Sequence, residues 1–87
     1  MATYFVECYW PGVDEPRLGE VVERLAARTK SGVAWLGSIL IPEDEIVLCL
    51  AIGPSAEAIR TTAEHAGLPA ERVVPCIHLP PTRQELQ

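Results

Sequence analysis

The stretch VAWLGSILIPEDEIVLCLAI, residues 33–52, decides the fold. Two aliphatic runs, Val33 to Ile41 and Glu45 to Ile52, flank Pro42-Glu43-Asp44, whose proline and acidic side chains suit a short turn. The stretch therefore reads as a β-hairpin. Working outward, each side of the hairpin carries one helix and one further strand. Upstream, Thr3 to Trp10 is rich in aromatic and β-branched residues and closes at Pro11-Gly12, a strand followed by a turn. Asp14 is placed to cap a helix in which Leu18, Val21, Val22 and Leu25 recur at helical spacing. Glu20 and Arg24 stand four apart on its solvent side, and Gly32 supplies a stop after Lys30. Downstream, Pro54-Ser55 opens a second helix with an inner stripe of Ala56, Ile59, Ala63 and Ala66, small enough to lie close to a sheet, and Gly67 ends it. Arg72 to Leu79 forms the last strand. Pro75 confines that strand to a sheet edge, because its missing N–H cannot join a ladder.

The element order is therefore βαββαβ. Right-handed crossovers set the strands in the spatial order 4-1-3-2, an antiparallel sheet with both helices on one face. This is an α+β, ferredoxin-like architecture. Residues 1–81 read as one such domain, and residues 82–87, polar and beyond Pro80-Pro81, as a flexible C-terminal tail.

Composition bounds the function classes. The chain has 87 residues, 48% hydrophobic and 22% charged, which fits one compact domain and excludes a disordered chain. The net charge of −5 and the scattered basic residues leave no stripe able to neutralise a phosphate backbone, so nucleic acid is not an expected partner. No apolar run reaches the roughly 18 residues that read as a membrane span, and Met1 to Trp10 lacks the features of an export signal. A cytoplasmic location is expected, with no membrane partner. The cysteines are three, widely spaced and inside predicted strands, so reduced thiols are expected rather than a disulfide framework.

Strand parity divides the sheet residues between two faces. Alternation assigns Tyr4, Val6, Ile46, Leu48, Leu50, Val73 and Ile77 to the helix side. It leaves Phe5, Glu7, Tyr9, Leu36, Leu40, Val47, Cys49, Val74, Cys76 and His78 on the open side. A bulge at Gly37 or Pro75 would reverse the assignment locally. An open face that is this apolar marks an interface. Two such faces closing on each other make a homodimer, a dimeric α/β barrel with a cavity between its sheets.

Glu7, Cys49, Cys76 and His78 are the candidate metal ligands. Two thiols, an imidazole and a carboxylate suit nickel, zinc or copper if they converge. Each also has a structural reading. Glu7 reads as a general base or ligand, or as a carboxylate paired with an arginine or facing water at a dimer rim. The cysteines read as ligands or as small buried hydrophobes. His65, in the last turn of the second helix, suits the negative end of the helix dipole. Trp10 and Trp35 read as fillers of the core or of a dimer contact, and Ser38 has no base beside it in sequence.

From Cys49 to Val74 the chain reads CLAIGPSAEAIRTTAEHAGLPAERVV, and with the opening YFVE and the segment GVAWLGS it resembles a family of small actinobacterial proteins of unknown function that includes nickel-binding members. The resemblance covers most of the chain. It implies a dimeric ferredoxin-like fold and nickel as a candidate ion, and it carries Cys49 and His65 over by their place in the motif. Where the nickel-binding members have a histidine in the first strand, this chain has Glu7-Cys8.

Three function classes follow. The first is a small dimeric protein holding a transition metal, nickel or zinc, or a small molecule in the cavity on the open face. The second is a cofactor-free enzyme of isomerase, cyclase or monooxygenase type using Glu7 or His78 for proton transfer, which rests on fold analogy. The third is a pure dimerisation or interaction module.

Overall fold

A computed structural model describes residues 1–27 and 32–81. Lys30 and the tail at 82–87 lie outside the described residues. The elements run β1 (Ala2–Tyr9), α1 (Glu15–Ala26), β2 (Ala34–Ile41), a 3-10 turn (Pro42–Asp44), β3 (Ile46–Gly53), α2 (Ala56–Ala66) and β4 (Ala70–Cys76). The sheet order is β2-β3-β1-β4, with every neighbouring pair antiparallel. This is the order expected from the sequence, read from the other edge.

Local chemistry explains where the helices begin and end. The Asp14 carboxylate accepts from the Arg17 N–H at 2.9 Å, and the Ser55 hydroxyl accepts from the Ala58 N–H at 3.1 Å. Each side chain thereby satisfies one of the donors that a helix start leaves open. At the end of α2, Gly67 takes a left-handed φ of 88°, and the Leu68 N–H donates back to the Ala63 carbonyl at 2.9 Å. That is a Schellman stop, and Leu68 is driven into the core beside it. Arg24 has a further role: its Nε donates to the Ala66 carbonyl at 2.8 Å, tying α1 to the end of α2. The hairpin turn closes on Glu45, left-handed at φ 55°, whose carboxylate accepts from the Gly12 N–H at 2.7 Å. The turn is thereby locked to the β1–α1 connection.

The core sits between the sheet and the helices. Tyr4, Val6 and Cys8 from β1 meet Leu18, Val21 and Leu25 from α1 and Ile59, Ala63 and Ala66 from α2. Trp10 and Trp35 pack against this cluster. β4 is an edge strand, which accommodates Pro75, and it ends at Cys76, short of the expected Leu79. Ile77, expected on the helix side, lies past the strand and is exposed.

In β3 the structure reverses the expected faces. Val47, Cys49, Ala51 and Gly53 are buried under the helices, while Ile46, Leu48, Leu50 and Ile52 are only half-buried on the open side. Register agrees, with Val6 opposite Cys49 and Cys8 opposite Val47, whereas Phe5 faces Leu50 and Glu7 faces Leu48. Every residue of this strand is apolar or small, so alternation of polarity has nothing to separate. The deciding force is steric. A Cβ on Gly53 would lie 2.8 Å from Ile59 Cδ1, so the face that meets α2 must end in glycine there. In β2 a register shift between Trp35 and Gly37 puts Trp35, Ser38 and Leu40 on the covered face. Leu40, expected on the open side, packs against the core instead.

Candidate functional site

The open sheet face carries a cavity of about 420 Å³ lined by Phe5 from β1, Leu36, Gly37, Ser38 and Ile39 from β2, Leu48, Cys49 and Leu50 from β3, and His78 beyond β4. The β2 bulge builds one wall. It sets Leu36 and Ile39 toward the open side with 48% and 62% of their surface still exposed, an arrangement unusual for two neighbouring large aliphatic side chains on one face. His78 is the one residue of the lining, apart from Cys49, with an ionisable side chain, and the Cys49 side chain lies on the covered face.

The four expected ligands separate. Glu7 is on the open face beside Arg72, its directly opposite neighbour on β4, with Arg72 Nη1 3.6 Å from Glu7 Oε1. Both side chains remain substantially in solvent, so this is a weak surface pair and a ready explanation for a mid-strand carboxylate. Cys76 is half-buried on the same face, opposite Thr3. His78 reaches the cavity. Cys49, expected beside them, is 2% exposed and belongs to the covered face, because its strand presents the opposite parity to the one expected. Among the described residues, no group of three or more His, Cys, Asp or Glu side chains lies together as a metal site. His65 occupies the last turn of α2, far in the fold's layering from the open face.

Cys49 instead joins a polar chain that the sequence did not reveal. The Trp35 indole N–H donates to the Ser38 hydroxyl at 3.3 Å, and Ser38 Oγ lies 3.3 Å from Cys49 Sγ. The Cys8 thiol approaches Cys49 diagonally across β1 and β3. Hydrogen bonding from Cys8, against the opposing effect of burial and with help from Ser38 and Trp35, pushes the Cys49 thiol down to about 7. Cys8 is driven the other way by its bond to Cys49 and by burial, well above the usual thiol range. The two shifts run in opposite directions, so Cys49 is the thiol of the pair that gives up its proton first. The clue available in the sequence was the bulge at Gly37, which alone brings Trp35 and Ser38 to the same side as Cys49.

Nickel and zinc are held by imidazole nitrogen and thiolate sulfur, usually four donors for zinc. On the open face one chain offers Cys76 and His78, with Glu7 already engaged by Arg72. That donor set does not by itself complete a metal site. Among the described residues, no helix is long and apolar enough to cross a membrane.

Comparison with known proteins places this geometry. A family model described as nickel responsive protein SCO4226-like matches residues 4–76. The crystal structure of SCO4226 from Streptomyces coelicolor A3(2) superposes with a TM-score of 0.77 at 24% identity, covering 84% of this chain and 93% of that one. At that identity the likeness establishes the fold. No curated protein matches.

Proposed function

This chain belongs to the SCO4226-like family of nickel responsive proteins, and from that premise we propose that it is a homodimeric binding protein whose two open sheet faces close over a ligand. The observation that carries the reading is the cavity itself: about 420 Å³, walled by Phe5, Leu36, Ile39, Leu48 and Leu50, with an imidazole at its edge. Concave, largely apolar sites with a few placed polar groups are the usual form of a small-molecule pocket. A second copy would remove from water the aliphatic side chains that a lone subunit leaves exposed, at about 25 cal/mol for each Å² covered. For a chain of this size, doubling the core is an efficient route to stability.

A second reading is supported by the family description and by Cys76 and His78, two residues apart at one edge of the open face. Two copies would supply two thiols and two imidazoles, the complement that one chain lacks, and a transition metal such as nickel or zinc would take it. Metal analysis of untagged protein after incubation with nickel, compared with the Cys76→Ser/His78→Ala variant, tests this. Stoichiometric metal lost in the variant supports the site; equal content in both removes it.

A further inference from the structure

The geometry points to a small apolar carboxylic acid as the ligand of the open-face cavity, its hydrocarbon body between Phe5, Leu36, Leu48 and Leu50 and its carboxylate against the imidazole of His78. The inference deepens the proposed function and rests on its premise that the cavity is a binding site.

Three observations converge on this class. The walls are aliphatic and aromatic, so a ligand body with polar groups would lose hydration there without gaining partners. The hollow has a volume of about 420 Å³ and is open on one side, room for one or two rings with a short substituent. The polar groups of the lining are one-sided. No carboxylate belongs to the lining, while His78 does. The closest acidic group in the register, Glu7 opposite Leu48, already has Arg72 as its counter-ion 3.6 Å away. A cationic ligand would therefore find no free carboxylate in the cavity, and the Cys49 side chain lies on the covered face, away from it. A carboxylate finds a donor able to form a charge-assisted hydrogen bond at the place where the apolar wall ends.

Three probes of one shape test the inference on the full chain: 2-naphthoate, 2-naphthalenemethanol and 2-naphthylmethylammonium, with dissociation constants measured by calorimetry. The expected result is naphthoate bound about tenfold tighter than the alcohol, the worth of one hydrogen bond to a charged group, and the ammonium weakest. His78→Ala should erase the preference, bringing naphthoate and the alcohol to equal affinity within that variant, and His78→Arg should restore it. Naphthoate no tighter than the alcohol, or a preference that survives His78→Ala, overturns the carboxylate inference and leaves the cavity reading standing. Failure of all three probes, or binding undiminished in Leu48→Arg, overturns both.

Discussion

Gly53→Ala examines the assignment on which the open face depends. Gly53 ends β3 on the side that α2 covers, and a Cβ there would stand 2.8 Å from Ile59 Cδ1 and 3.2 Å from Val33 Cγ2. Ordinary carbon–carbon contact lies near ~3.5–4.0 Å, so the two neighbours must move. Ile59 is fully buried and Val33 is 3% exposed, which leaves neither an empty direction to turn into. Overpacking of this kind costs about 1–3 kcal/mol. Against it stands a gain of about 0.4–1 kcal/mol from the stiffer unfolded chain, so the net expectation is a loss of about 1–2 kcal/mol. With an m-value for urea of about 1 kcal/mol/M in so small a domain, the unfolding midpoint should fall by about 1–2 M. Ile59→Val removes the offending methyl and costs about 0.5–1.5 kcal/mol alone. In combination with Gly53→Ala it should cost less than the sum by about 1 kcal/mol, the coupling a shared contact produces. An unchanged or raised midpoint for Gly53→Ala, or strict additivity of the pair, would refute the placement of this face of β3 under α2. It would return Cys49 and Val47 to the open side.

Other expectations follow from the same geometry. Arg72→Ala breaks the pair with Glu7, but both side chains are well exposed, so the loss in urea unfolding should stay under about 1 kcal/mol and vanish in high salt. A larger loss would mean that Glu7 is buried by something beyond this chain. The Cys8–Cys49 pair gives a two-limbed pH dependence. Between about 7 and the ordinary thiol value of 9.0 the folded protein has released the Cys49 proton that the unfolded chain keeps, so stability rises with pH. Above 9.0 the unfolded chain gives up its Cys8 proton while the folded chain holds it, so stability falls. Urea midpoints measured across that range should show both limbs in the wild-type protein and a flatter profile in Cys8→Ala; identical profiles would dissolve the pair.

Much of the fold was legible because its signals are local and chemical. Asp14 and Ser55 announce the helix starts, Gly67 the second helix end, and Pro75 the edge strand, and the crossover rule then leaves one sheet order. The face assignment is legible in β1, where Glu7 alternates with Tyr4, Val6 and Cys8, and in β4 as far as Cys76, but not at Ile77, which lies past the strand. It failed in β3, since a strand apolar on both sides carries no alternation. What separates its faces is size: Ala51 and Gly53 taper toward Ile59, a relation that exists only once α2 lies on the sheet. The same long-range dependence hid the Trp35–Ser38–Cys49 chain, because Gly37 signals a bulge without saying how many residues it displaces. Parity alone therefore groups Cys49 with the wrong partners, while Cys76 lies on the open side that alternation expects and His78, beyond the strand, lines the cavity there.

In the proposed dimer a second copy of the chain covers the open face. Sedimentation equilibrium over a broad concentration range, on untagged wild-type protein and on Ile39→Lys, addresses it directly. Ile39 is 62% exposed, so the lysine leaves the subunit's own core intact. The expected result is twice the chain mass of 9.5 kDa for the wild type, with dissociation to single chains in the variant. A wild-type protein that sediments as a single chain at every concentration, or a variant that dimerises just as tightly, would contradict it.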